Sequence, residues 1–251
     1  MNISDILLGA AIIIAAPAVN RVGEAKAQQI HPDQVVVDSP FVHDPVLAYE
    51  NGKYYLYSTG HGISQMTSAD RKHWTLCREG VLKNHEIPAW THDSVPGFHT
   101  HIWAPDVIHY RNKWYLAYSC STFGKNTSAI GLLSNTSLAN MNGWKDEGCI
   151  LASEGKRDNW NAIDPNFVID DKGNPWMAWG SFWDGIQLVK LDKKTMHVKK
   201  GAKPQTIARR HAFGDASAEL NPTSKFAGTN AIEAPFIMKH GDYYYLFVSW
   251  D

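Results

Sequence analysis

Four acidic residues recur in the chain, each close to a proline and each at the start of a strand-like pattern. They are Asp44, Asp106, Asp164 and Glu233, at intervals of roughly 60 residues. Carboxylic acids that converge on one cleft raise one another's pKa values, because like charges disfavour ionisation. One protonated carboxyl and one ionised carboxyl are the groups that cleave a glycosidic bond. The acids therefore predict a glycosidase-type site, provided that the fold places them at equivalent positions around one cleft.

A hairpin pattern follows each of these acids. After Asp164 come the apolar run 167–169, the turn 170–174 and the second apolar run 176–179. Turn-forming residues between two runs rich in β-branched and aromatic residues are typical of a β-hairpin. A third, more polar run follows the first three hairpins. The repeated unit is therefore a sheet of about four short strands.

Repeats of this kind predict an all-β fold of the β-propeller type, with no helix of consequence. Three units are complete, and the fourth ends at Asp251 after its second strand. The chain would then supply about three and a half blades and be C-terminally incomplete, truncated in blade four. On this interpretation blade faces are left bare, and we expect poor solubility or weak activity unless a second polypeptide completes the ring.

Composition excludes some classes of partner. The 251 residues include 24 basic and 25 acidic side chains without a basic run, which argues against nucleic acid as a partner. Ten Trp, ten Tyr and nine Phe suit strands, and they also suit sugar-binding clefts. Most of these aromatic residues are expected in the core.

The first 29 residues differ from the rest. Residues 6–19 are apolar, and residues 25–27 form a small-x-small cleavage site. The apolar run is too short to span a bilayer comfortably. We predict a signal peptide or leader and tether over 1–29, a catalytic β-propeller domain over 30–251, and export to the periplasm or the extracellular space, with no membrane attachment of the mature form. Residues 28–39 are expected to be a tether into the first hairpin.

Cysteine and histidine do not form a metal motif. Three scattered cysteines are too few for a disulfide framework or a zinc site, and at most one pair could form. His99 and His101 would share one face of a strand, with His92 nearby. No third ligand follows at metal spacing, so loop histidines are favoured and no metal site is predicted.

The segments around the acids carry a resemblance that is specific in combination. They read VHDP at 42–45, HIWAPDV at 101–107, NAIDP at 161–165, GSFW at 180–183 and AIEAP at 231–235. These motifs resemble those of glycoside hydrolase family 43, and within it the arabinan endo-1,5-α-L-arabinosidases, from about Ser39 to the end of the chain. The resemblance implies a five-bladed β-propeller that hydrolyses α-1,5-linked arabinan with inversion.

The resemblance also implies a role for each acid. Asp44 matches the general base that activates water, Glu233 the general acid, and Asp164 the third acid, which tunes and orients the general acid. Asp106 matches no catalytic step and is expected to support its loop. An inverting pair leaves room for a water, so we expect the Asp44 and Glu233 carboxyls roughly 6.5 to 9.5 Å apart.

Several residues near the acids are implied to contact the substrate. Trp103 resembles the platform on which an arabinose ring stacks, and its alternative is a place in the core. Gly124 would let the chain approach the sugar closely. The other implied contacts are Asn161, Ala162, Ile163, Ser181, Phe182 and Trp183.

No cofactor is expected for this chemistry. The resemblance allows an ion in the central channel, but the region of its expected histidine ligand is absent from these 251 residues. The alternatives to an endo-acting arabinanase are an exo-acting α-L-arabinofuranosidase or β-xylosidase on the same fold, and a catalytically inactive glycan-binding propeller. Retention of all three matched acids argues against the inactive propeller.

Overall fold

The part of the chain described by the computed structural model, residues 34–210 and 230–250, consists almost entirely of β-strands. It belongs to one compact unit, Pro32–Asp251. The predicted leader at 1–29 lies outside the described residues. The strands are β1 (Gln34–Val37), β2 (Val46–Glu50), β3 (Lys53–Ser58), β4 (Gly60–His61), β5 (Ser64–Ser68), β6 (Trp74–Cys77), β7 (His101–Tyr110), β8 (Lys113–Ser121), β9 (Ser128–Asn135), β10 (Lys145–Ser153), β11 (Asn166–Ile169), β12 (Pro175–Trp179), β13 (Ile186–Lys190), β14 (Gln205–Ala208), β15 (Ile232–His240) and β16 (Tyr243–Trp250).

These strands form antiparallel sheets in which sequence neighbours pair. The strand orders are β1-β6-β5-β3-β2, β10-β9-β8-β7-β4, β11-β12-β13-β14 and β15-β16. Four hairpins begin at the four acids, as predicted, and the third strands of the first three hairpins are also where the sequence predicted them. Three sheets of at least four strands and one two-stranded sheet confirm the all-β, propeller-type prediction for the described residues.

One local prediction is wrong. Gln34–Val37, expected within a tether, is a strand that pairs with β6 from Gln34↔Cys77 to Val37↔Trp74 and forms the outer edge of the first sheet. The prediction of no helix of consequence is confirmed for the described residues, because the α-helix that precedes β7, α1 (Trp90–Ser94), is only five residues long. Of the helices in 34–210 and 230–250, none has the length and apolar character needed to cross a membrane.

The core lies between neighbouring sheets. Alternate residues of β8 face opposite ways, as the two-residue period of a strand requires. Leu116 and Tyr118 therefore join the apolar cluster shared with the first sheet, while Tyr115 and Ala117 join the cluster that contains Trp179 of the third sheet. Burial on both faces explains why these strands read as nearly continuous apolar runs. Cys77, Cys120 and Cys149 are all free, and Cys120 is fully buried in the first cluster.

Asp106 joins the second sheet to the third. Its Oδ2 accepts hydrogen bonds from the backbone N–H of Phe167 at 2.6 Å and from Asn166 Nδ2 at 3.3 Å. Asn166 repeats the arrangement one sheet further on, where its Oδ1 accepts from the N–H of Ile237 at 2.8 Å. Asp106 was expected to support its own loop, but it instead holds the first residues of β11.

Burial of the Asp106 carboxyl raises its pKa to about 7, even though the hydrogen bonds from the backbone of Phe167 and Val107 act in the opposite direction. Burial is the larger effect because it removes the charged form from water. The side chain therefore acts chiefly as a buried hydrogen-bond acceptor, and a neutral acceptor could replace it.

Replacing Asp106 tests whether its role depends on a hydrogen-bond acceptor at this position rather than on a charge. Asp106→Ala leaves the N–H of Phe167 without its acceptor, and we expect its free energy of unfolding to lie about 1 to 3 kcal/mol below that of Asp106→Asn, which keeps an oxygen there. Asn166→Ala should cost a similar amount for the same reason at Ile237. Urea unfolding at pH 7 measures the differences. Equal stability of the alanine and asparagine variants would contradict the role of Asp106 as a joint between sheets.

Candidate active site

The backbone bends in the same way before the proline that accompanies each of the four acids, at positions 45, 105, 165 and 235. The φ angle is 50° at Asp44, 41° at Ala104, 56° at Asp164 and 53° at Ala234. Residues other than glycine seldom adopt this left-handed conformation, and such residues cluster at functional sites. Asp44 and Asp164 thus occupy one repeated position, which alanine takes in the other two hairpins.

The other two acids stand elsewhere in the repeat, so the expectation of four equivalent positions is wrong. Glu233 is one residue before the bend and Asp106 is two residues after its bend. The strand register shifts at both places, between Trp103 and Asp106 and between Glu233 and Phe236. Such bulges re-aim side chains. Asp106 is consequently buried between sheets, while Glu233 reaches the same cavity as the remaining acids.

A cavity of about 820 Å³ lies at the starts of these hairpins. Asp44, Asp164 and Glu233 all line it, although they lie at the starts of hairpins in three different sheets. Asp106 is not among its lining residues. The structure therefore brings together the three acids to which the resemblance assigned chemical roles, and it separates the fourth from them.

Asp44 is held at one oxygen. Thr59 Oγ1 donates to Asp44 Oδ2 at 2.6 Å, and His43 Nδ1 donates to the same oxygen at 2.7 Å. Thr59 Oγ1 in turn accepts from the backbone N–H of Ala104 in the next sheet, at 2.8 Å. Within the described residues, Asp44 Oδ1 receives no hydrogen bond and remains available to a ligand.

Glu233 and Asp164 are linked through neighbouring backbone and hydroxyl groups. Ser181 Oγ donates to Glu233 Oε2 at 2.8 Å, and the two residues also form a strand bridge. The N–H of Ala234 donates to Asp164 Oδ2 at 3.2 Å, and the N–H of Asp164 donates to Ser119 Oγ at 3.0 Å. Ser181, predicted as a substrate contact, lines the cavity and also holds Glu233.

The pKa of Asp164 is raised to about 8. Burial of its carboxyl is the largest cause, followed by the negative charges of Glu233 and Asp44, and the hydrogen bond from Ala234 opposes them. Part of the residue remains open to the cavity, but the carboxyl lies deep among protein atoms. Asp164 is therefore largely protonated at neutral pH and can donate a hydrogen bond.

Seven of the eight predicted substrate-contact residues line the cavity, and one does not. Ala162 is fully buried in the core between the second and third sheets, and its N–H donates to Ser153 Oγ at 2.9 Å. It points into the core because it alternates with its cavity-lining neighbours. The seven that line the cavity are Trp103, Gly124, Asn161, Ile163, Ser181, Phe182 and Trp183.

The segment around Phe182 is shaped by its neighbours. Phe182 and Trp183 have consecutive positive φ angles of 57° and 40°. The N–H of Phe182 donates to the carbonyl of Ile232 at 2.9 Å, and Asn230 Nδ2 donates to the carbonyl of Trp183. The strained turn is therefore tied to the strand that carries Glu233.

Sequence reasoning missed several lining residues. Phe41 and Phe123 line the cavity with side chains that are 98% and 92% exposed, and Thr59 and His101 also contribute. One signal was available for Thr59, since Ser119 and Ser249 stand at the equivalent position near the end of the second strand in other hairpins. The two phenylalanines lie in loops, where strand periodicity carries no information.

No group of three or more His, Cys, Asp or Glu side chains in residues 34–210 and 230–250 is arranged to hold a metal ion. The histidines at 92, 99 and 101 therefore do not form a ligand set.

Comparison with known proteins identifies the family. The model of glycosyl hydrolases family 43 matches residues 34–251. The chain belongs to this family. The predicted fold class, a five-bladed β-propeller type, is the fold of the family 43 arabinanases that it matches.

Family 43 relatives of this chain include enzymes of both modes of attack. An extracellular exo-α-(1→5)-L-arabinofuranosidase of Cellvibrio japonicus is 42% identical over 212 residues, which are 83% of this chain and 58% of that protein. An extracellular endo-α-(1→5)-L-arabinanase of Bacillus subtilis is 40% identical over 214 residues, 84% of this chain and 59% of that protein. The crystal structure of an exo-1,5-α-L-arabinanase from a bovine ruminal metagenomic library has 52% identity and a TM-score of 0.74, covering 85% of this chain and 66% of that one.

The raised pKa of Asp164 predicts a pH-dependent cost to stability. Above the pKa of an unfolded aspartic acid, the unfolded chain ionises freely while the folded protein resists, so folding weakens as pH rises from about 4 to about 8. Asp164→Asn removes this titration. We expect it to match the parent at pH 4 and to exceed it at pH 8 by at least about 1.4 kcal/mol, the value of one pKa unit.

Urea unfolding at pH 4, 6 and 8 checks this prediction. Asp192→Asn is the matched control, because hydrogen bonds from the backbone of Lys194 and Thr195 lower the pKa of that exposed carboxyl. It should give no gain at pH 8. An advantage of Asp164→Asn that is the same at every pH would refute the assigned cause.

Proposed function

We propose that this protein hydrolyses α-1,5-linked L-arabinofuranosidic bonds in arabinan by an inverting general acid–base mechanism. The observation that carries the proposal is the group of three carboxyls around one cavity. One of them, Asp164, is kept protonated by its burial and by the other two carboxyls. The proposal is supported by the names of the relatives, all of which act on such bonds. The chain spans about 58% of the length of the curated relatives that it matches.

Asp44 is the proposed general base. Its free Oδ1 accepts a proton from water as the water oxygen attacks the anomeric carbon on the face opposite the leaving group. The bond from the anomeric carbon to the leaving oxygen breaks, and that oxygen takes a proton from Glu233. One water is consumed, one proton passes to each of Asp44 and the departing sugar, and the anomeric configuration inverts.

Glu233 is the proposed general acid. The Ser181 hydroxyl donates to its Oε2, which leaves Oε1 to carry the proton for the leaving oxygen. Asp164 is the proposed third acid: protonated and linked through the Ala234 N–H, it keeps a second negative charge away from Glu233 and fixes the segment that carries it.

The aromatic lining would supply sugar contacts. Trp103 is half-buried and lines the cavity, which suits stacking against the apolar face of an arabinose ring. Gly124 has a φ of 73°, a conformation that glycine adopts without strain. Asn161 accepts a hydrogen bond from Ser128 Oγ at 2.6 Å through its Oδ1, which orients its amide group beside the acids.

Endo-acting cleavage of the polysaccharide is the leading proposal, and exo-acting release from chain ends is the second candidate. The second candidate is favoured by the exo-acting names of two of the three relatives above. We also propose that residues 1–29 are a signal peptide or leader and that 30–251 form the catalytic domain of an exported protein. The leader-like composition and the extracellular relatives support export to the periplasm or the cell exterior.

Conservative replacements of the acids test the mechanism. Asp44→Asn, Asp164→Asn and Glu233→Gln should each lower kcat on linear arabinan by about 10² to 10⁴-fold, the usual contribution of general acid–base catalysis. Proton NMR of the first product should show an inverted anomer. Asp106→Asn is the control and should retain activity, since that carboxyl lies outside the cavity. A retained anomer, or a Glu233 variant with the activity of the parent, would contradict these roles.

The product distribution from debranched linear arabinan tests the mode of attack. An endo-acting enzyme binds internal segments of the chain, so early samples should contain a ladder of short oligosaccharides and the viscosity should drop before much reducing sugar appears. Chromatography of samples taken during the first few per cent of conversion measures the distribution of product lengths. An arabino-oligosaccharide whose reducing end has been chemically reduced serves as a reference substrate. A single small product from the outset would replace the endo proposal with the exo one.

A further inference from the structure

The Asp44 carboxylate receives both of its hydrogen bonds on the same oxygen. Thr59 Oγ1 and His43 Nδ1 lie 2.6 and 2.7 Å from Oδ2. A carboxylate only accepts hydrogen bonds, so both partners must donate. The lone pairs that remain for an incoming water are then concentrated on Oδ1.

Thr59 is held so that its hydroxyl proton can serve no other acceptor. Its Oγ1 accepts from the N–H of Ala104 at 2.8 Å, which leaves its single proton to point at Asp44. Its backbone N–H donates to the carbonyl of His43 at 3.0 Å. Thr59 therefore contacts the His43–Asp44 segment through both main chain and side chain, and it is fixed from the neighbouring sheet.

His43 alone could not supply this orientation. Its side chain is 78% exposed, and an exposed ring loses little by turning to hydrogen-bond with water. Asp44 also has the left-handed backbone conformation described above, which persists only where neighbouring groups enforce it. Thr59 is the neighbour placed to do so.

We propose that Thr59 is a positioning residue that turns the Asp44 carboxylate so that Oδ1 faces the attacking water. This inference rests on the proposed function, in which Asp44 accepts the proton of that water. Thr59 takes no proton and forms no bond to the sugar. Its effect on the reaction passes through Asp44.

The test compares Thr59→Val, which keeps the shape of the side chain but removes the donor to Asp44 and the acceptor of the Ala104 N–H, with Thr59→Ser, which keeps both. On linear arabinan, kcat of the valine variant should fall about 10- to 100-fold, the effect of losing a hydrogen bond to a charged group. Its KM should stay within about twofold, because valine keeps the shape that the side chain presents to the cavity. The serine variant should retain kcat to within about threefold.

Thr206→Val is the matched control. Thr206 Oγ1 also donates to a carboxylate, Asp184 Oδ2, at 2.8 Å, but neither residue lines the cavity. This variant should keep the kcat of the parent. Thr59→Ala provides a second deletion of the donor in case the valine variant does not fold, and thermal melting verifies folding of each.

A double-mutant cycle separates positioning from a general structural effect. In the Asp44→Asn background, Thr59→Val should cause no further loss of kcat, because its effect requires the carboxylate. The same fold-loss in both backgrounds would overturn the proposal.

High-resolution crystal structures give a readout that does not depend on activity. The parent and Thr59→Ser should show a water on Asp44 Oδ1, and Thr59→Val should show a rotated carboxylate. An active parent together with a valine variant of parental kcat and unchanged carboxylate would overturn the positioning role and leave the proposed function intact. An inactive parent with the expected rotation in Thr59→Val would overturn the proposed function and support the positioning of Asp44.

Discussion

The hydrogen bonds that pass from one sheet to the next at the hairpin starts are the constraint on which the site depends. Thr59 connects the first sheet to Ala104 of the second, Ser119 connects the second to Asp164, and Ser181 connects the third to Glu233. Each acid at the cavity is thus oriented by a group from another part of the repeat. The cores between the sheets supply the cohesion, while these few polar contacts set the geometry.

Placing three carboxyls in one cavity costs stability, and the structure limits that cost. Hydroxyl groups donate hydrogen bonds to Asp44 and Glu233, and a further charge is avoided because burial and the neighbouring acids raise the pKa of Asp164, which retains its proton. Burial raises the pKa of Asp106 as it does that of Asp164, but Asp106 lies outside the cavity and instead connects two sheets by accepting a hydrogen bond from the N–H of Phe167. A perturbed carboxyl therefore indicates a functional site only when it also faces a cavity.

Much of the fold could be predicted from the sequence because its information is local. Turn residues between apolar runs define every hairpin, and the recurring acid and proline mark the repeat. Interactions between distant segments could not be predicted in this way. Strand β1 forms only because residues 34–37 meet β6, and the placement of Ala162 in the core depends on which neighbour faces the cavity. Phe41 and Phe123 belong to loops whose direction no periodicity encodes.

Acids at two different repeat positions line the same cavity, and local backbone geometry explains how. In a regular strand, a shift of one residue moves a side chain to the opposite face. Glu233 precedes the bend by one residue and would face away, but the register shift between it and Phe236 redirects it, and its side chain is longer than that of aspartate by one methylene. Asp106, two residues beyond its own bend, is directed between sheets. The bend before each proline, together with the register shift beside it in two of the hairpins, thus determines which acid faces the cavity, and the residue type then determines what that side chain can do.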